Sequence, residues 1–335
     1  MKPNGSQVVF SGPFCASLTD FVKYKRTLGR NYYGMARMLL RFDTFTKAGK
    51  AVDGVTPSKQ LIQEWLAPHT GENENSRKYR VIAIREYAAY MSATGITVYV
   101  PPCLPAGKER YAPYIFTQKQ LQQIFKASWE LSSNTPHRLT NWYDVFPCVL
   151  MLLYCCGLRI GEAMNLKVKD VQLDRGILYI HEAKHNRERI VPVSPSVNRI
   201  LKELFFKIHG GSVPDEAFFR KVEGGAYLQQ RVYRQFRKVL TLVDISHGGR
   251  GKGPRLHDFR HCFCVNALQK MIHAGKDVYC ALPILSTYLG HSNPYSSEYY
   301  LRLVPEFFPE VTAVMEKTSN YILSGLYEKE IQDEN

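Results

Sequence analysis

Between Val100 and Lys108 the chain reads Val-Pro-Pro-Cys-Leu-Pro-Ala-Gly-Lys. Each proline locks φ and removes a backbone donor, so neither a helix nor an inner strand can run through this stretch. It is stiff and extended rather than floppy. One core must therefore close before it and another after it. The spacing predicts a helical domain over 1–100, a linker over 101–111 and a second domain over 112–335. A chain of 335 residues is long enough for two such domains.

The first hundred residues read as four helices. Leu18, Phe21, Val22 and Leu28 keep helical spacing up to Gly29, and Tyr32, Met35, Met38, Leu39, Phe42 and Phe45 do so before Gly49. Thr56-Pro57 starts a third helix through Leu66, and Ser76 to Thr94 a fourth, stopped by Gly95. The fourth carries Arg77, Lys78, Arg80 and Arg85 against Glu86. Residues 1–110 hold 16 Lys+Arg and 8 Asp+Glu, and the remainder 28 and 22. Net positive charge is thus about three times denser in the smaller part.

The whole chain carries a formal charge of +14, which leaves nucleic acid, an anionic membrane or plain solubility as its meaning. The longest apolar run, Val145 to Leu158, is too short to span a bilayer and is interrupted by Pro147, so a membrane protein is rejected. The first residues show no targeting segment, and a cytoplasmic protein is expected. Eight cysteines fit no zinc-finger or disulfide spacing and read as free thiols.

Beyond the linker, Thr117 caps a helix, Val145 to Leu158 forms an apolar one, and a short helix follows Arg159. Gly176 to Ile180 and Arg189 to Val193 are β-rich runs flanking Lys184, which reads as a hairpin. From Pro195 onward the pattern is helical, broken by a basic loop at Ser246 to Pro254 that carries Arg250 and Lys252. The expected fold is mainly α with a small antiparallel β-sheet, α+β in the second domain.

Chemistry concentrates in three boxes. In Gly157-Leu158-Arg159-Ile160-Gly161-Glu162, the arginine and the glutamate share a helical face. A guanidinium fixed by a carboxylate suits phosphate recognition, and the same spacing also makes an ordinary helical ion pair. In His257-Asp258-Phe259-Arg260-His261, a histidine and an arginine stand three apart at a helix head, where partial positive charge favours phosphate. Zinc on His257, His261 and Cys264 is the competing reading, and the Glu of a metalloprotease base is missing. The third box is Leu289-Gly290-His291-Ser292, followed by Tyr299 and Tyr300.

Together the boxes resemble the tyrosine recombinase (phage integrase) family over residues 112–305. They match Gly-Leu-Arg-x-x-Glu, His-x-x-Arg-His and Leu-Gly-His-Ser, with a tyrosine nine residues after the last histidine. The departures are Phe259 for the usual Leu and Gly161 where Ser is frequent. The resemblance implies that Arg159 and Arg260 bind the scissile phosphate and that His257 and His291 assist them. It implies that Lys184 protonates the leaving oxygen, that Glu162 buttresses the arginines, and that Tyr300 rather than Tyr299 is the nucleophile. No cofactor or metal is implied. Residues 1–100 resemble the family's helical core-binding domain, so Arg77, Lys78, Arg80 and Arg85 are expected on DNA, as are Arg250 and Lys252 of the basic loop. No arm-binding domain is expected before this region.

The expected function is site-specific recombination of double-stranded DNA sites. It would run through a 3′-phosphotyrosyl intermediate and a Holliday junction, on a homo-tetramer, with the C-terminal helix docked either on a neighbouring protomer or on its own domain. Integration or excision of a mobile element is the expected setting. Tyr300 lies between the Asn293-Pro294 turn and the Val304-Pro305 break, so contacts between protomers are expected to switch it. The alternatives are a type IB topoisomerase-like relaxing enzyme and a non-catalytic DNA-binding regulator on the same scaffold.

Overall fold

The computed structural model describes residues 8–29, 32–48, 56–105, 112–133, 140–181, 188–211, 213–249, 253–290 and Tyr300. The chain divides into two compact units, residues 1–111 and 112–335.

In the first unit, α1 (Cys15–Thr27), α2 (Tyr33–Ala48), α3 (Lys59–Leu66) and α4 (Glu74–Ala93) pack around Leu18, Phe21, Leu39, Phe42, Ile62, Ile84 and Tyr87, each 1% exposed or less. Side-chain caps set two of the starts. Ser58 Oγ accepts from Leu61 N at 3.2 Å, and Asn73 Oδ1 from Asn75 N at 2.8 Å. The Asn73 cap starts α4 two residues ahead of the expected Ser76 and brings Glu74 into its first turn, where the helix dipole favours it.

One cation expected on DNA is corrected here. Arg80 is only 4% exposed. Its Nε donates to Glu72 Oε1 at 2.8 Å and its Nη2 to the Ala67 carbonyl at 3.0 Å, and it also bonds the Trp65 carbonyl. A guanidinium so enclosed holds the α3–α4 turn together and cannot reach a phosphate. Arg77 and Arg85 are half-buried, donating to the carbonyls of Leu66 and Pro101, and Lys78 is half-buried as well. The exposed cations include Lys23 and Arg26 on α1 and Arg37, Arg41 and Lys47 on α2.

The second unit is built around α6 (Trp142–Cys155), with Val145, Phe146, Val149, Leu150 and Leu152 fully buried. A helix apolar all round must be wrapped by others. Here α5 (Gln118–Ser133), α8 (Pro195–Ile208) and α10 (Leu256–His273) do so. The helix begins three residues before the expected Val145 and runs through Pro147. The short α7 (Ile160–Met164), α9 (Gln229–Leu242) and α11 (Val278–Leu289) complete the helices that bear on the site.

A three-stranded antiparallel sheet runs in the order β1 (Val171–Gln172), β2 (Ile177–Ile180), β3 (Arg189–Pro192). The predicted hairpin is β2–β3, with Ile177 opposite Pro192 and Ile180 opposite Arg189, and β1 is an additional strand. Val191 is fully buried while Ile190 is 54% exposed. Strand alternation therefore places Arg189 on the inward face with Val191.

Candidate active site

Three carboxylates start three segments by the same device. Glu162 Oε2 accepts from the backbone N of Arg159 at 2.9 Å, Asp170 Oδ2 from that of Lys167 at 2.9 Å, and Asp258 Oδ2 from that of Arg255 at 2.7 Å. Each satisfies an N–H that a helix start leaves open. The first and third caps fix the two boxes that carry Arg159 and Arg260.

Glu162 does more than cap. Its Oε1 accepts from Arg159 Nη1 at 2.7 Å and from Arg189 Nη1 at 3.1 Å, and its Oε2 from Arg189 Nη2 at 2.8 Å. Arg260 Nη1 stands 3.8 Å from Oε2. Burial alone would raise this carboxyl, but the Arg189 and Arg159 guanidiniums outweigh it and hold the pKa at about 2. One fixed anion is thereby shared among three arginines. Arg159 is the most open of them, with 24% of its side chain exposed against 9% for Arg189 and 1% for Arg260.

Arg260 ties the first and third boxes together. Its Nη1 donates to the Gly157 carbonyl at 2.7 Å and its Nη2 to the Leu289 carbonyl at 2.8 Å. Gly157 has φ +60°, and a Cβ there would lie 2.5 Å from the Phe263 ring, so only glycine fits. Gly290 closes α11 at φ +65°, as its place before His291 predicts.

A cavity of about 430 Å³ opens over this cluster. Arg159, Gly161 and Glu162 line one side, His257 and Leu256 another, with Tyr233 of α9 and His181 at the end of β2. Crowding by protein and the like charges of Arg260 and Arg159 push the His257 pKa down to about 4. The ring is therefore neutral at pH 7. One nitrogen can accept a proton while the other donates a hydrogen bond.

Tyr300 is 3% exposed. It packs with Val265, Leu268, Ala281, Leu285 and Leu289, shares a hydrogen bond with the Cys264 thiol, and its ring lies 5.6 Å from that of His261. Burial and Cys264 push its phenol well above the usual range, against the pull of Arg260 and Arg159. The acidifying effect of these two cations is present but is outweighed in this position. His257, Arg260, His261 and Cys264 all lie on α10, so Tyr300 rests on the helix that carries the second box.

Arg159, Glu162, His257, Arg260 and Tyr300 are thus gathered from the start of α7, from α10 and from the chain after α11. Lys184, His291, Arg250, Lys252 and Tyr299 lie outside the described residues, as does the segment after Tyr300. Among the described residues no three His, Cys, Asp or Glu side chains converge as a metal site. All eight cysteines are free thiols. No helix among the described residues is long and apolar enough to cross a membrane.

Sequence reading missed two features. Arg189 was read only as the start of a strand. The phase shared with buried Val191 was the available signal, obscured because Ile190 on the other phase is equally apolar. The second feature is α9, which carries no acidic residue and exposes Arg231, Arg234, Arg237 and Lys238 beside Tyr233 at the cavity. Its spacing of cations between buried Val232, Phe236 and Val239 was visible as a one-sided basic helix.

Residues 115–306 match the model of the phage integrase family. The chain is 28% identical over 310 residues to the protein named Putative integrase/recombinase y4rB of Sinorhizobium fredii, across 91% of this chain and 97% of that one. Its fold matches the XerH site-specific recombinase in a post-cleavage complex with a palindromic difH substrate, at a TM-score of 0.62 and 20% identity over 90% of this chain and 85% of that one. It also matches lambda integrase in a tetramer bound to a Holliday junction, at a TM-score of 0.62 and 16% identity over 85% and 76%. The family match spans more than half the chain and contains all three boxes, so the protein belongs to the phage integrase family of tyrosine recombinases, enzymes that cleave and religate DNA strands in site-specific recombination.

Proposed function

We propose that the chain recombines two duplex sites by a 3′-phosphotyrosyl pathway with Tyr300 as nucleophile. The observation that carries this reading is the pairing, in one cavity, of Arg159 with a neutral His257, backed by Arg260 and with Tyr300 packed against the helix that bears His257. Arg159 and Arg260 neutralise the phosphoryl oxygens as charge builds. Arg159 meets the phosphate at the cavity, and Arg260 acts from behind it, anchored on Gly157 and Leu289. His257 and His291 hydrogen-bond the non-bridging oxygens or take the phenol proton. The Tyr300 oxygen bonds to phosphorus as the bond to the 5′ oxygen breaks, and Lys184 supplies the proton to that oxygen. One ester replaces another, so religation needs no nucleotide cofactor.

Tyr300 must leave its apolar seat to attack. Burial opposes the phenolate, so the buried position is a resting one, and contacts between protomers are the proposed trigger. Strand exchange on a homo-tetramer through a Holliday junction is the assembly proposed, with the C-terminal helix docking between protomers. The lambda integrase tetramer on such a junction supports this by fold alone. The setting proposed is integration or excision of a mobile element.

DNA is held by phosphate contacts. In the second unit the basic face of α9 runs from the cavity outward and supplies Arg234, Arg237 and Lys238. In the first unit Arg77, Lys78 and Arg85 remain proposed contacts, along with the exposed cations of α1 and α2. Arg250 and Lys252 are proposed contacts of the basic loop.

The test is a suicide duplex carrying the cognate site, run on a denaturing gel. Wild type should form a covalent complex, Tyr299→Phe should retain it, and Tyr300→Phe should abolish it. A complex that survives Tyr300→Phe and vanishes in Tyr299→Phe refutes the assignment. Absence of any complex favours a binding regulator, and relaxation without junctions favours a topoisomerase.

A further inference from the structure

Arg189 has no role in the scheme above, yet it makes more polar contacts in the cluster than Arg159 does. It leaves β3 on the buried face and forks onto both Glu162 oxygens, at 3.1 and 2.8 Å. Its third nitrogen, Nε, donates to the Tyr288 carbonyl at 2.9 Å, in the last turn of α11. The guanidinium then lies against Gly290. A Cβ there would meet Arg189 Nη1 at 3.1 Å and Cδ at 3.2 Å. One side chain thus joins the sheet, the carboxylate that fixes Arg159, and the turn from which His291 follows.

We propose that Arg189 is a positioning residue for strand cleavage: it sets Arg159 and the end of α11 at a fixed separation, so that groups from the first and third boxes meet one phosphate. The proposal rests on the recombinase reading. The physical case is geometric. A planar fork can satisfy two carboxylate oxygens and a carbonyl at once, whereas an ammonium is a point charge with freely rotating donors. Arg260 makes a parallel tie from Gly157 to Leu289, but from α10. Without Arg189 the carboxylate would still cap α7, yet nothing from β3 would locate it against Tyr288. Misplacement of a reacting group by about 1 Å lowers rates roughly 100-fold.

The variants are Arg189→Lys and Arg189→Met in the full chain, with unfolding curves taken first. Three readings follow on the folded protein. At saturating enzyme, the rate of covalent complex formation should fall about 100-fold in both, while duplex affinity stays within about threefold, since the Arg189 side chain is only 9% exposed. The acid limb of cleavage should move to higher pH in Arg189→Met and much less in Arg189→Lys. Glu162 is faced by Arg159 at the start of α7, by Arg260 and His257 on α10 and by Arg189 on β3, and only the Met variant removes one of these charges.

Inorganic phosphate, titrated through the His257 ring signals by NMR, gives the third reading without DNA chemistry, and it should bind about tenfold more weakly in Arg189→Met. Wild-type cleavage in Arg189→Met, or losses that merely track the unfolded fraction with an unmoved pH limb, overturn the proposal. A wild-type chain that binds phosphate in an Arg189-dependent way but never forms a covalent complex overturns the recombinase reading and leaves standing only the placement of Arg159 by Arg189 through Glu162.

Discussion

Glu162→Gln is the substitution whose effect the structure specifies most closely. The amide has the shape of the carboxylate but no charge, and half of it donates where every neighbour also donates. The carboxyl is held at about 2 in the folded chain against an ordinary 4.5. A difference of that size corresponds to about 3 kcal/mol of stability near pH 7. The Glu162 side chain is 5% exposed, so solvent screens little of it. The sign follows from the depressed pKa: the contribution is fully present above about pH 4.5 and is lost as pH falls toward 2. Glu162→Gln should therefore lower the melting temperature at pH 7 by roughly 10 °C. It should also flatten the stability loss that wild type shows between about pH 5 and 2. Thermal or urea unfolding of both chains at pH 7 and across the acid range measures this. A loss under about 1 kcal/mol at pH 7 would refute the reasoning, as would an equal acid dependence in the two chains.

Three further predictions follow from the same contacts. His257 should titrate near 4 by NMR in the free protein, staying neutral at pH 5, and a midpoint at 6 or above would contradict its environment. Its depressed pKa also means that stability declines as pH falls from about 6.5 toward 4, a slope that His257→Asn should remove. Arg80→Ala should destabilise the first unit by about 2 kcal/mol, because it takes the donor from a half-buried Glu72 carboxylate and from two carbonyls, and should leave the salt dependence of DNA binding unchanged. Arg234→Ala with Arg237→Ala should instead leave stability nearly intact and reduce the slope of log affinity against log salt by about 2, measured by fluorescence anisotropy.

The three boxes, the proline break, the helical first unit and the β2–β3 hairpin were legible in sequence because each depends on local chemistry. Prolines punctuate, apolar residues recur at a fixed period, and Glu162 and Asp258 lie three residues beyond the groups they cap. Tertiary structure decided how the charges were spent. Arg80 and its helix neighbours look alike in sequence, but Arg80 is the one drawn onto two carbonyls of the α3–α4 turn and the Glu72 carboxylate together, so it is buried. Arg189 and Ile190 sit on adjacent phases of one strand, and only the sheet's packing against the core turns the arginine inward onto Glu162. Tyr300 was marked by its distance from His291, but whether that phenol meets a phosphate or an apolar seat beside Cys264 depends on a segment's position, which no spacing encodes. Local periodicity names the groups, and burial, which sums contacts from distant parts of the chain, settles their charge states and partners.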